Sequence, residues 1–417
     1  MNNNTRNYIV ALGFLLLVLV GIIFYFILRS DIGPFGGGGT GGGDGGGLPD
    51  TGGTDGGSGG GGDAIFPPKN EGGDQVTTTP PLTADEIGRL VQISKDPVVG
   101  ATIRKDELLY FKRGTGHIFA SSFNGLKPEE RLTNFSIPNI MDASWSPSRA
   151  YTLVTALNEI TVRRFWIHLT GTSTIESGLF DDKIVSPKFS PTEEKIAGII
   201  KNGSLYTVVI TTPQGKTPKT VFQTSLPNPE LSWVSKTLLA LQTRSTAFIP
   251  SILQTIPTTG GGASTILADV YGLDVLWDTG SNKFLTLEVK GDGKRPTLVL
   301  HDRRTPQQGK ELSFKTFPEK CVWSGSATST VYCAIPWSLG AEPVPDGWWK
   351  GKVSFDDSLW KIDINTGDAS SLLEGGAFDM TQPMLSPKED YFFFINKKDS
   401  MLWSLRLTDT ATSTGSN

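Results

Sequence analysis

Hydrophobic positions fall along this chain in three regimes. From residue 8 to 28 they run unbroken as YIVALGFLLLVLVGIIFYFIL, with no charge. From 29 to about 83 they nearly vanish. From 84 to 407 they return as short alternating or continuous apolar stretches, each bounded by Gly, Pro, Asn, Asp or Ser. Some 21 helical residues at ~1.5 Å each cover the ~30 Å hydrocarbon core of a bilayer. The first regime therefore predicts a transmembrane helix over 8–28, behind a short tail, 1–7. The run is longer than a cleaved signal's apolar region, and no A-x-A pattern follows it, so it reads as an uncleaved signal anchor.

The third regime repeats. The stretch ASWSPSRAYTLV (143–154) has relatives in VSPKFSPTEEKIAGII (185–200), PELSWVSKTLLALQ (229–242), LDVLWDTGSNKFLTLE (273–288), KCVWSGSATSTVYCAI (320–335) and QPMLSPKEDYFFFI (382–395), with a weaker copy at 99–113. Each is a strand ending in Trp, Phe or Leu, then a polar turn, then a second apolar strand. Aligning Ile103, Trp145, Phe189, Trp233, Trp277, Trp323 and Leu385 gives steps of 42, 44, 44, 44, 46 and 62. A period near 44 with several short strands per unit is the spacing of a four-stranded propeller blade. Turn signals at Asn202-Gly203, Asn124-Gly125 and Asn365-Thr366-Gly367 place the remaining strands.

The predicted fold class is all-β: a seven-bladed β-propeller of four-stranded blades over 84–407, preceded by one transmembrane helix and a Gly-rich linker. The last unit lacks a fourth strand, and residues 408–417 form a polar tail. GRLVQIS (88–94) sits upstream of the first unit and is assigned the missing strand, closing the ring and removing exposed edges. Within ASWSPSRAYTLV, Trp145 reads as a packing position and Arg149 as a solvated turn tip.

The S-P turns after aromatic-ended strands, together with WKIDINTG near the end of a unit, resemble the bacterial WD40-like repeats of TolB-type propellers over residues 88–407. That resemblance implies a binding platform. The anchor and linker depart from soluble periplasmic TolB.

Composition changes the picture at one place. Of the 49 glycines, 19 fall between residues 33 and 62, where the remainder is mostly Thr, Asp, Ser and Pro. Such a segment cannot build a core, and 29–83 reads as a disordered Gly/Pro-rich linker. About 55 residues of flexible coil have a root-mean-square span of about 40 Å.

Charge narrows the partners. With 38 Lys plus Arg against 42 Asp plus Glu and no basic run interleaved with aromatics, nucleic acid is not an expected partner. His117, His168 and His301 are too far apart to show a metal-ligand or base-nucleophile spacing and read as satisfied surface or packing residues. No metal or cofactor is expected.

Cys321 and Cys333 flank a hairpin centred on Ala327 and face each other if its arms pair symmetrically. They are either a cross-strand disulfide or two small buried hydrophobes. A disulfide would place the propeller outside the cytoplasmic membrane.

The step of 62 marks an insertion, PWSLGAEPVPDGWWKGKVSF (336–355), between the second and third strands of the sixth unit. Trp337, Trp348 and Trp349, with Glu342, Asp346 and Lys350, combine amphipathic rings with charge as binding anchors do. Folding down over the blade is the alternative for these side chains. The expected function is a non-catalytic, membrane-tethered module binding a protein or cell-envelope partner. Its alternative is a hydrolase or lyase with a site in the central funnel, for which Asp302, Asp356 and Asp357 are the available carboxylates. The last two, adjacent in a strand, point to opposite faces and read as solvated.

Overall fold

Apolar stretches separated by Gly, Asn and Ser-Pro turns become antiparallel strands because the turn residues fix the reversal and the alternation fixes the buried face. In the hairpin Ile140–Trp145/Tyr151–Asn158, Trp145 faces Thr152, and the Ser146 hydroxyl accepts the Tyr151 N–H at 3.0 Å. The computed structural model describes residues 79–170, 175–290 and 293–407. The predicted tail 1–7, membrane segment 8–28, linker as far as residue 78 and tail 408–417 lie outside them. No helix among the described residues is long and apolar enough to cross a membrane.

The described strands form five four-stranded sheets and one seven-stranded sheet. The seven-stranded sheet runs from Pro229–Ser235 to Lys310–Glu311. Its central strand, Ser264–Trp277, pairs on one side with Pro250–Pro257 and on the other with Lys283–Val289. Positive φ at Asp269 and Gly272 lets the chain turn within that strand. Leu90–Gln92 pairs with Leu402–Arg406, Leu90 opposite Leu405, so the first and last strands share one sheet.

The core is a circuit of sheet-to-sheet interfaces. Leu108 and Tyr110 of the first sheet pack with Phe393 and Ile395 of the last. Phe111 packs with Val154 and Ile167, Leu153 with Ile196, and Val208 with Leu239 and Leu241. The circuit continues through Leu253 with Phe284, Leu298 with Val331 and Trp360, and Leu359 with Phe392. Each fully buried Phe or Leu contributes about 1.5–3 kcal/mol. The repeated positions sit on one rung: Ile103, Trp145, Phe189, Trp233, Trp277, Trp323 and Leu385 all pair near the end of the innermost strand.

Two differences from the sequence reading follow from local hydrogen bonding. Arg149 is no solvated tip: its guanidinium donates to the carbonyls of Ile103, Ser146 and Pro147 at 2.7–3.0 Å. Beside it the Trp145 indole donates to the Gly100 carbonyl at 2.7 Å, so this turn clamps the neighbouring sheet. Residues 79–83, assigned to the linker, are held onto the sheets. The Thr79 hydroxyl donates to Asp356 at 2.8 Å, and Thr83 caps the helix Ala84–Arg89 in a capping box with Glu86.

The topology gives the sheets two edges. Connections between second and third strands, and between successive sheets, lie on one edge, here called the upper face. First-to-second and third-to-fourth connections lie on the lower face.

Candidate functional site

The insertion reaches across the upper face. From the sheet of Thr330–Pro336 it extends to the 290–296 connection, where the Val344 N–H donates to the Gly293 carbonyl at 2.9 Å. Beyond that, the Asp346 carboxylate accepts the Ala247 N–H at 2.7 Å. Its underside is apolar: Trp348 stacks on Phe317 with ring centroids 5.1 Å apart and packs with Ala247, Leu287, Val289 and Phe355.

Beneath it lies a buried charge network. Lys320, on a short 3₁₀ turn Pro318–Lys320, is 0% exposed and donates to Asp357 and Asp379 at 2.6 Å each. It also donates to the Met380 carbonyl at 3.2 Å. Asp379 is the hub, accepting from the Trp348 indole, the Ser354 hydroxyl and the Phe355 N–H at 2.9–3.1 Å. Burial works to raise Asp379, but Lys320 and these donors outweigh it and hold the carboxyl below the usual range. Asp357 has fewer donors. Burial pushes it up to about 6 against the pull of Lys320.

A second group of carboxylates lies beside Lys320. Asp274 on Ser264–Trp277 accepts the Glu319 N–H at 3.2 Å, and the Trp349 indole donates to Glu319 at 3.0 Å. Glu230, ion-paired with Arg244 at 3.2 Å, adds to the local negative charge. Burial raises the proton affinity of Asp274, and the Glu319 charge raises it further. Glu319 is raised as well, by desolvation, although its side chain reaches solvent at the mouth of the recess. Two carboxyls held this way can store a proton above the ordinary carboxylate range.

The six predicted binding residues have divided roles. Trp348 is 1% exposed and packs the cap. Asp346 caps a neighbouring loop and pairs with Lys350 at 3.3 Å. Trp337 is half-buried, and its backbone N–H donates to the Asp356 carbonyl. Glu342 and Lys350 are exposed, and Trp349 shows 39% of its surface.

The three predicted carboxylates do not converge. Asp302 pairs with Arg304 on the lower face, Asp356 pairs with Lys398, and Asp357 is buried rather than solvated because Lys320 compensates its charge. His117 meets the Phe135 carbonyl, His168 stacks on Tyr151 at 4.0 Å, and His301 bonds Thr286 and Pro306, all away from the recess. Cys321 faces Cys333 and is disulfide-bonded to it, Cα–Cα 4.1 Å.

Asp274, the adjacent pair Glu319 and Lys320, and Asp379 were missed because they come from three separate stretches of the chain. A signal did exist: Glu230, Asp274 and Lys320 each lie three residues before the repeated Trp.

No family model matches this chain, and no curated protein does. Among solved structures, an oligogalacturonate lyase from Vibrio parahaemolyticus is similar over 80% of this chain and 97% of its own, with 9% identity and a TM-score of 0.54. An oligogalacturonate lyase in complex with manganese gives 11% identity, coverages of 80% and 98%, and a TM-score of 0.53. TolB from Acinetobacter baumannii is similar at a TM-score of 0.41, with 12% identity and coverages of 70% and 66%. At such identities the likeness reports architecture alone, and what this chain has in common with these structures is the β-propeller fold.

Proposed function

We propose that this chain is a membrane-tethered propeller that binds a protein or cell-envelope partner through its upper face and performs no chemistry itself. Read as two blades sharing Ser264–Trp277, the seven-stranded sheet brings the count to seven four-stranded blades. One observation carries the binding reading. Of the twelve exposed large hydrophobic side chains among the described residues, all but Ile87 and Leu126 lie on the upper face. Ile160 is 95% exposed at a turn tip, Phe248 and Ile249 are 54% and 61% exposed on one loop, and Met141, Leu179 and Trp349 join them. Apolar side chains gathered on one face and rimmed by charge mark interaction surfaces.

The chain at Thr79 is bonded to Asp356 on this same face. The Cys321–Cys333 bond supports a position outside the cytoplasmic membrane. The test is capture from the protein's own membranes. Ile160→Asp and Phe248→Asp, both at exposed positions, are expected to abolish co-purification of the partner that the wild type retains. Undiminished capture by both variants overturns the reading.

A second reading, a hydrolase or lyase acting in the recess, is favoured by the raised proton affinity of the Asp274–Glu319 pair, as a general acid requires. Oligogalacturonate turnover that is lost in Asp274→Asn and Glu319→Gln would replace the binding reading with this one.

A further inference from the structure

On the lower face, between the sheet of Ile184–Phe189 and the sheet that begins at Pro229–Ser235, lies a groove of about 500 Å³. That volume falls in the range of small-ligand sites. The groove is separate from the upper-face surface and from the carboxylate recess. Its chemistry is layered.

The floor is apolar, made by Ile210, Val221 and Trp233. The Trp233 indole N–H is already committed to the Ser235 carbonyl at 2.8 Å. The ring therefore offers hydrocarbon and π surface, not a donor.

Six threonines line the walls, and three of them have spent their hydroxyl protons. Thr211 and Thr217 donate to the Lys216 carbonyl at 2.6 and 2.8 Å, and Thr258 to the Lys236 carbonyl at 3.0 Å. What these three retain is an oxygen lone pair, which takes a donor from the ligand.

Three exposed ammonium groups, on Lys195, Lys219 and Lys236, stand at the rim. Glu193 pairs with Lys195 at 2.9 Å and is the one carboxylate among the lining residues. Lys219 and Lys236 make no ion pair among the described residues, which leaves net positive charge over the groove.

A ligand that satisfies all three layers has a flat C–H-rich face for the indole, hydroxyl donors for the threonine oxygens, and an anionic group for the lysines. The geometry points to a carboxylated sugar as the occupant: a pyranose ring lies on Trp233, its hydroxyls donate to the threonines, and its carboxylate meets Lys219 and Lys236. An acidic peptide shares the charge but lacks a hydroxyl-bearing ring face to set against the indole.

The probe is a hyaluronan tetrasaccharide, which carries glucuronate carboxylates, titrated calorimetrically into the detergent-solubilised full chain. Neutral chitotetraose and tetraglutamate are the comparisons. The wild type is expected to bind the hyaluronan tetrasaccharide at least tenfold more tightly than either. Lys219→Ala/Lys236→Ala, at exposed positions, weakens it tenfold or more while the melting temperature stays unchanged. Absence of wild-type binding overturns the proposal, as does equal binding by the double variant. Tetraglutamate bound as tightly as the sugar also overturns it and makes the groove an acidic-peptide site. Ile160→Asp, on the opposite face, leaves sugar binding unchanged, so this result and the upper-face result fail independently.

Discussion

Lys320→Met puts the buried charge network to a quantitative test. The lysine is fully buried, holds Asp357 and Asp379 at 2.6 Å, and lies 4.9 Å from the Trp348 ring centroid. Methionine preserves most of the volume and removes the charge, leaving two buried carboxylates face to face. Breaking a buried pair by removing one partner costs about 3–5 kcal/mol. The upper end has an independent bound: the variant can relieve the clash by protonating Asp357, and doing so at pH 7 from an unfolded pKa of about 3.9 costs about 4 kcal/mol. With an unfolding entropy of about 2.1 cal/mol/K per residue over residues 79–407, the expected fall in melting temperature is about 4–6 °C at pH 7.

The pH dependence has a definite sign. Wild-type Asp357 titrates at about 6, so it is ionised at pH 7 and half-protonated at pH 6, while the variant holds its proton throughout. A carboxyl raised in the fold loses stability as pH rises, by about 1.4 kcal/mol per unit for one proton. The deficit of Lys320→Met therefore shrinks by about 1 kcal/mol from pH 7 to 6 and by about a further 0.4 kcal/mol below that. Differential scanning calorimetry of both proteins at pH 5, 6 and 7 measures it. A melting temperature within a degree of wild type at pH 7, or a deficit independent of pH, refutes the network as described.

Three further outcomes follow. Asp274→Asn removes a carboxyl whose folded-state pKa is raised by burial and by Glu319. Its ionisation opposes folding at high pH, so the variant melts above wild type at pH 8, and the gap closes as pH falls toward 4. Replacing Cys321 and Cys333 with alanine releases a loop of sequence separation 12, for which chain entropy gives about 3 kcal/mol, read as a lower urea midpoint that reducing agent reproduces in wild type. Trp145→Phe keeps the aromatic packing and loses the bond to the Gly100 carbonyl, lowering stability by about 0.5–1.5 kcal/mol in the same urea assay.

What the sequence showed and what it withheld divide along physical lines. The innermost strand ends were legible because packing between neighbouring sheets demands a large apolar side chain once per unit, and a periodic demand leaves a periodic trace from Ile103 to Trp323. The closing strand was legible because an unpaired edge must be covered, and Leu90–Gln92 was the spare strand available. The helix Ala84–Arg89 escaped notice although its signal, the Thr83 and Glu86 capping box, spans only four residues.

The site was less legible. Its parts, Asp274, Glu319, Lys320 and Asp379, are brought together by the circuit of sheets and by no local spacing. Asp357 read as solvated because its compensating charge lies 37 residues away. The insertion stood out by length alone, but its tryptophans divide between packing, as Trp348 does, and exposure, as Trp349 does. Only three-dimensional contacts decide which.

The central claim, that the upper face is where a partner docks, is tested most directly by photo-crosslinking in the protein's own membranes. A benzophenone amino acid replaces Ile160 or Phe248 on the upper face, Leu126 on the lower face, and Ile87 at the outer rim, all exposed positions. One discrete adduct of the same mass increment is expected from both upper-face positions and none from Leu126 or Ile87. Adducts from Leu126 or Ile87 with none from Ile160 and Phe248 would contradict it.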